Sequence, residues 1–314
     1  MALISEREQV AAREPEFRLD RLTREWVAIT GTRQQRPNLP ELDDCPFCVG
    51  GLEAEHTYLV KAFANRWPPM RAGAPIDLAA AAGLRQPAHG AAEVVLYSPD
   101  HDASFATLEP HHARAVVDLW AERTTDLLSR AEIEYVLVFE NNGAEAGATI
   151  GHPHGQIYAF PFTPPVPAKE AAVARAFGCA ICAELASATE LKPRLVDSTD
   201  SFVAYARYAA GWPFELLIAP TAHIADLGGL NTDCRTEFAQ ILAGAVRRYQ
   251  HLFDEPLPYM FWIHPGVHLH LHLVTTRRQA TTIRYVAAGE LGSGTLFNPV
   301  APEIAAAMLR GVDG

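Results

Sequence analysis

Gly151-His152-Pro153-His154-Gly155-Gln156-Ile157-Tyr158-Ala159-Phe160 is the stretch on which the fold turns. The run before it, Tyr135 to Phe139, is apolar and rich in strand formers, and the residues after His154 alternate as a strand does. Side chains two apart on a strand share a face. The alternation therefore predicts His152, His154 and Gln156 on one face, with Ile157 and Ala159 on the other. Two imidazoles and an amide on one face are costly to bury without polar partners. The pattern marks a site as well as a strand.

Working outward, Glu93 to Tyr97, Phe202 to Tyr205, Leu216 to Ile218 and Leu269 to Val274 also read as strands. Helical periodicity runs through His112 to Leu128, Glu237 to Phe253 and Pro302 to Leu309. Strands interleaved with a few long helices predict an α+β fold, an antiparallel sheet with helices packed on it. The order of features recurs. Cys45-Pro46-Phe47-Cys48 is followed by His101 and then His152, at spacings of 53 and 51 residues (48→101→152). Cys179-Ala180-Ile181-Cys182 is followed by His223 and His264, at spacings of 41 and 41 (182→223→264). We read this as a duplicated metal-dependent unit. The expected division is residues 1–165, with the nucleophile and one metal site, and residues 166–314, with a second. The segment Pro161 to Pro167 is expected to be a stiff, extended link between them.

Composition narrows the function. The chain has 314 residues, 49% of them hydrophobic, which allows a sizeable core. A formal charge of -11, from 26 basic and 37 acidic residues, argues against a nucleic-acid partner. No apolar run approaches the roughly 20 residues of a spanning helix, and Met1 to Arg18 lacks the apolar core of a signal peptide. The expected setting is the cytoplasm, where Cys-x-x-Cys pairs serve metals or redox chemistry more than structural disulfides.

Cys45, Cys48, His101 and His152 make a plausible tetrahedral zinc site with no open position. His154 would then stand beside the metal. A neutral imidazole is a good nucleophile toward phosphorus, provided a partner holds the proton on its other nitrogen. Gln156, on the same face, can hydrogen-bond a phosphoryl oxygen. The loop Glu140 to Thr149 carries glycines that let backbone approach a diphosphate, and the Thr149 hydroxyl adds a donor. Arg33 and Arg36 could clamp phosphates. Cys179, Cys182, His223 and His264 could close a second zinc site. His268, His270 and His272 share a strand face, with Glu170 a rival oxygen ligand. His56, His89, His111 and His112 follow no pattern and are expected on the surface.

These residues resemble the galactose-1-phosphate uridylyltransferase branch of the histidine-triad superfamily. The resemblance runs from Arg21-Leu22-Thr23-Arg24-Glu25-Trp26-Val27 through Phe63-Ala64-Asn65-Arg66-Trp67-Pro68, Ser98-Pro99-Asp100-His101 and Glu140-Asn141-Asn142-Gly143. It continues in His152-Pro153-His154-Gly155-Gln156, Gly211-Trp212-Pro213-Phe214-Glu215 and Ala288-Gly289-Glu290-Leu291. It implies two tandem histidine-triad-like halves and ping-pong transfer of UMP from UDP-glucose to galactose 1-phosphate. His154 would accept UMP and Gln156 would bind its phosphate. Asn65, Asn141, Gly147 and Thr149 would meet the nucleotide and Arg33 a phosphate. Zinc, two ions per chain, and a homodimer are implied as well. Some relatives carry an iron-type site that Glu170, His264, His270 and His272 match in order. Both second-half sets claim His264, and the cysteine set is preferred because thiolates outcompete carboxylates for zinc. A related adenylyltransferase, phosphorylase or nucleotide hydrolase is the alternative.

Overall fold

The computed structural model describes residues 14–31, 45–73 and 84–312. Strands β1 (Glu16–Leu19), β2 (Trp26–Ile29) and β4 (Arg85–Pro87) form a small antiparallel sheet in the order β2-β1-β4. The main sheet has nine strands in the order β3-β5-β7-β6-β11-β12-β10-β9-β8. They are β3 (Lys61–Ala64), β5 (Ala91–Leu96), β6 (Tyr135–Asn142), β7 (His154–Phe160), β8 (Leu195–Ser198), β9 (Phe202–Ala206), β10 (Leu216–Pro220), β11 (Tyr259–His264) and β12 (His270–Thr275). All its neighbouring pairs are antiparallel. Helix α1 (Pro110–Leu128) precedes α2 (Pro165–Phe177), α3 (Ala180–Ala186), α4 (Ala188–Leu191), α5 (Thr232–His251), α6 (Ala288–Ser293) and α7 (Pro302–Arg310). None of the described helices is long and apolar enough to cross a membrane.

The duplication is visible in the topology. The chain runs β5-α1-β6-β7 in one half and β10-α5-β11-β12 in the other. In both, the last strand inserts between the first two, giving β5-β7-β6 and β10-β12-β11. The halves join edge to edge where β6 pairs with β11, from Val138↔Ile263 to Asn142↔Tyr259.

Each long helix lies on the sheet by an apolar stripe at helical spacing. In α1 the buried positions are Ala113, Val116, Val117, Trp120, Ala121, Thr124 and Leu127. Pro110 at its first turn needs no backbone N–H there. In α5 the Asn231 side chain caps the start by accepting from Cys234 N–H at 2.9 Å. Trp120 is the hub of the core, stacked on Phe105 at 5.7 Å and edge-on to Phe261 at 5.6 Å.

Two expectations need correction. Residues 161–167 are not all extended, because α2 begins at Pro165. A proline at the first helical position is already set for the helix, and Ala168-Lys169-Glu170-Ala171-Ala172 behind it are strong helix formers. The histidine strand also starts at His154, so His152 precedes it.

From His154 onward the alternation holds. Ile157 and Ala159 are wholly buried on the helix side. On the opposite face Val94, Gln156, Phe139, Trp262, His272, Leu217 and Tyr205 stand directly opposite one another, strand by strand. One face therefore carries polar side chains from both halves.

The helix side holds an acid with no basic partner among the described residues, whereas Glu93 there is paired with Arg123 of α1. Glu140 on β6 pairs with Gly155 and Phe261 and is 1% exposed. The Tyr259 hydroxyl donates to it at 2.7 Å. Burial pushes its carboxyl up to about 7 from the ordinary 4.5, outweighing that hydrogen bond. The folded value lies above the unfolded one, so its contribution is complete below pH 4.5 and is lost as pH rises through about 7. Glu140→Gln should thus gain on the wild type between pH 5 and pH 8, by up to about 3 kcal/mol. Urea melts of both proteins at the two pH values measure it, and an unchanging difference between them refutes a protonated Glu140.

Candidate active site and metal clusters

His154 opens β7, buried, with Nδ1 2.8 Å from the His152 carbonyl. A carbonyl only accepts, so in the neutral ring the proton sits on Nδ1 and the lone pair on Nε2. The ring is edge-on to Phe47 at 5.1 Å, and Phe47 meets Phe63 at 6.0 Å, so an aromatic wall limits its rotation. Gln156, one pleat along, is buried, and its Oε1 has no hydrogen-bond partner among the described residues. Between them lies Gly155. A Cβ there would stand 2.1 Å from the Tyr97 hydroxyl and 3.1 Å from the Phe139 carbonyl, so the strand is seated where only glycine fits.

The donor atoms of Cys45, Cys48, His101 and His152 all lie within 4.8 Å of one another. Cys48 Sγ is 3.4 Å from His101 Nδ1 and 3.6 Å from His152 Nδ1. Ligands in a tetrahedron with bonds of about 2.0–2.3 Å are about 3.5 Å apart, so the set could hold a metal ion. Burial and the neighbouring Cys45 push the Cys48 thiol up to about 11, a resistance to ionisation that a cation between the thiols removes. His152 donates from Nε2 to the Ser98 carbonyl at 2.7 Å, which turns Nδ1 toward the thiols. Burial lowers its pKa and keeps the ring neutral. Tyr58, absent from the sequence reading, packs its hydroxyl 2.9 Å from the same Nε2 and 2.8 Å from the Ser98 carbonyl.

The second half repeats this arrangement with a different histidine from the expected one. Cys179, Cys182 and His223 come together with His268, and His264 is elsewhere. Cys182 Sγ is 3.2 Å from His223 Nδ1 and 3.5 Å from His268 Nδ1, and Cys179 Sγ is 3.4 Å from His268 Nδ1. His268 donates from Nε2 to the Pro220 carbonyl at 2.9 Å, as His152 does to Ser98. The reason is register. His268 stands two residues before β12 as His152 stands two before β7, whereas His264 ends β11 and pairs with His270. Equal spacing pointed to His264; superposing 268-270-272 on 152-154-156 would have found His268.

His264 instead joins Glu170, His270 and His272 in a third cluster, so the two second-half sets are not rivals and share no residue. His264 Nδ1 is 3.1 Å from a Glu170 oxygen, and His270 Nε2 is 3.8 Å away. Burial would raise the Glu170 carboxyl, but His264 and His270 outweigh it and hold it well below the usual range. Burial lowers His272 to about 4 despite Glu215 beside it, keeping that ring neutral too. His270 Nδ1 lies 2.8 Å from the His268 carbonyl, the contact His154 makes with His152.

The remaining expected site residues frame the first half. Asn65 follows β3, donates its N–H to the Ala92 carbonyl and accepts from Trp67 N–H at 2.9 Å. In the loop after β6, Gly143 and Gly147 both have φ of +87°, which side chains resist. The Gly147 Cα is close to Asn141, since a Cβ there would be 3.9 Å from its Nδ2. The Thr149 hydroxyl is buried without a hydrogen-bond partner among the described residues. Arg33 and Arg36 lie outside the described residues.

Comparison with known proteins now decides the family. Residues 6–164 match the model of the galactose-1-phosphate uridyl transferase N-terminal domain, and residues 181–313 that of its C-terminal domain. The chain belongs to this family. It is 34% identical over 94% of its length to a galactose-1-phosphate uridylyltransferase of Thermotoga maritima, covering 98% of that protein. It is 25% identical to an ADP-glucose phosphorylase of Arabidopsis thaliana, with 97% of this chain and 95% of the relative aligned. A solved uridylyltransferase structure superposes with a TM-score of 0.83 at 26% identity, covering 94% of this chain and 97% of that one.

The seating of Gly155 makes a direct prediction. Gly155→Ala should lower both the melting temperature and the rate of uridylyl transfer, because the Tyr97 hydroxyl cannot move aside as a flexible side-chain end would. Tyr97→Phe should restore part of each in the double variant. Thermal melts and single-turnover rates check this, and an alanine variant indistinguishable from wild type refutes the tight seating.

Proposed function

We propose that this protein transfers UMP from UDP-glucose to galactose 1-phosphate through a uridylyl-histidine intermediate. The observation that carries the reading is the Nδ1 contact of His154 with the His152 carbonyl, in a chain of this family. His154 Nε2 attacks the α-phosphorus of UDP-glucose. An N–P bond forms, the bond to the bridging oxygen breaks, and glucose 1-phosphate leaves. A phosphate oxygen of galactose 1-phosphate then attacks the same phosphorus, the N–P bond breaks and UDP-galactose forms. The side-chain amide N–H of Gln156 and the Thr149 hydroxyl can donate to the phosphoryl oxygens, and Asn141 and Gly147 line the loop beside them. Asn65 belongs to the nucleoside end and Arg33 to a phosphate. The two parts of the chain are residues 1–165 and 166–314. A cytoplasmic homodimer suits the family, and the exposed Tyr285, Leu291 and Phe297 are apolar surface that such a dimer can cover.

Mass spectrometry after incubation with UDP-glucose alone is the test. One added UMP per chain and free glucose 1-phosphate are expected, and His154→Ala should abolish the adduct while keeping its fold. An alanine variant that still transfers UMP at the wild-type rate removes His154 from the mechanism. The Arabidopsis relative keeps an adenylyl reading in view. An adduct from ADP-glucose in place of UDP-glucose would favour it.

Zinc suits the Cys45, Cys48, His101, His152 set and the Cys179, Cys182, His223, His268 set. Both are closed and hold structure, the first by fixing His152 and with it the carbonyl that orients His154. The Glu170, His264, His270, His272 set suits a divalent cation of nitrogen and oxygen preference, iron(II) or zinc. Elemental analysis should find three ions per chain, at least two of them zinc. Cys45→Ser should remove one and slow adduct formation. Cys179→Ser should remove one and cost stability mainly. A Cys45→Ser protein with its full metal content would sink the first assignment.

A further inference from the structure

His272 is gripped from two sides. Its Nδ1 lies 3.1 Å from Glu215 Oε1. Its ring stacks on Trp262, with centroids 4.9 Å apart and planes 15° from parallel. Nε2 is buried and has no hydrogen-bond partner among the described residues. It is the nitrogen left to face Glu170, His264 and His270.

Glu215 is itself built in. It is 2% exposed, and its Oε2 accepts from Gly211 N–H at 2.7 Å and Trp212 N–H at 3.2 Å. Arg207 is 3.5 Å from Oε1. The turn that aims it is strained. Phe214, the residue before it, has φ of 55°, one of two non-glycine residues with positive φ among those described. A bulky buried residue takes that conformation only when its surroundings hold it there. The hold is the Tyr249 hydroxyl, which contacts the carbonyls of both Phe214 and Leu273. Strain in a turn whose product is a buried carboxylate aimed at one imidazole points to a use for that carboxylate.

We propose that Glu215 is a positioning residue of the third cluster: it holds the His272 Nδ1 proton, so that Nε2 presents its lone pair to a divalent cation bound with Glu170, His264 and His270. This rests on the reading of that cluster as a metal site. The carboxylate can only accept, so the neutral ring shared with it carries its proton on Nδ1. The charges are compatible: Glu170 sets one negative charge inside the cluster, and Glu215, its charge shared with Arg207, stands behind His272. Trp262 prevents the ring from turning out of line.

Glu215→Gln tests this. The amide keeps the size but has one acceptor oxygen, which cannot serve both the backbone N–H groups and the imidazole N–H. Full-length protein is loaded with zinc as the probe ion and dialysed against graded chelator, and bound metal is counted by elemental analysis. The variant should keep the two cysteine-held ions and bind the third about 10- to 100-fold more weakly than wild type. A third ion held equally tightly by Glu215→Gln overturns the proposal, whereas a wild type that takes up only two ions overturns the metal reading beneath it. Ring ¹⁵N shifts of His272 in the wild type, with the third ion stripped, need no variant. A proton on Nδ1 supports the proposal and a proton on Nε2 overturns it.

Discussion

The main-chain carbonyl as a holder of imidazole protons is the interaction on which the rest depends. Ser98 holds the Nε2 proton of His152, and His152 holds the Nδ1 proton of His154. Pro220 holds His268 and His268 holds His270 in the same way. A neutral imidazole has one proton and one lone pair, so fixing the first aims the second. Main-chain carbonyls are positioned by the strand ladder and not by flexible side chains. Site geometry is therefore a property of sheet register, and a one-residue slip of β7 would reverse every side chain on it.

The ladder is continuous across the molecule. The β6·β11 joint makes two half-sheets one, and the row from Gln156 through Phe139 and Trp262 to His272 crosses it without a break. The helix side is secured by α1 and α5 over an apolar surface, which leaves the other face available for polar groups. Glu140 breaks that division of labour, and its raised pKa records the cost of an acid placed among core residues.

Periodicity located α1, α5, α7 and the strands β5, β6, β7, β9, β10 and β12, because each element's apolar pattern matches the surface it covers, but it missed β11 and the 13-residue α2. The first cluster was legible for a similar reason: its cysteines and histidines follow a pattern with few structural alternatives. The second was legible only in part. Cys179, Cys182 and His223 follow from spacing, but choosing between His264 and His268 requires knowing that residues 265–269 form a turn between paired strands. The coexistence of the two second-half clusters was hidden for the same reason. Tyr58 left no local signal, and Glu215, though it closes the Gly211-Trp212-Pro213-Phe214-Glu215 stretch, gave no sign of its partner, since they act across 94 and 57 residues of chain respectively. Pro165 misled because proline both ends extended segments and begins helices.

The matched carbonyl contacts of His154 and His270 bear on the history of the chain. After duplication the two rings kept one posture, and divergence came from what surrounds them: Gln156 beside one, His272 beside the other, with Glu170 and His264 closing in on the second. His154 keeps one imidazole-free side next to Gln156, whereas His270 is enclosed by a carboxylate and two further imidazoles. The same imidazole posture thus serves an open position in one half and a closed ring of donors in the other.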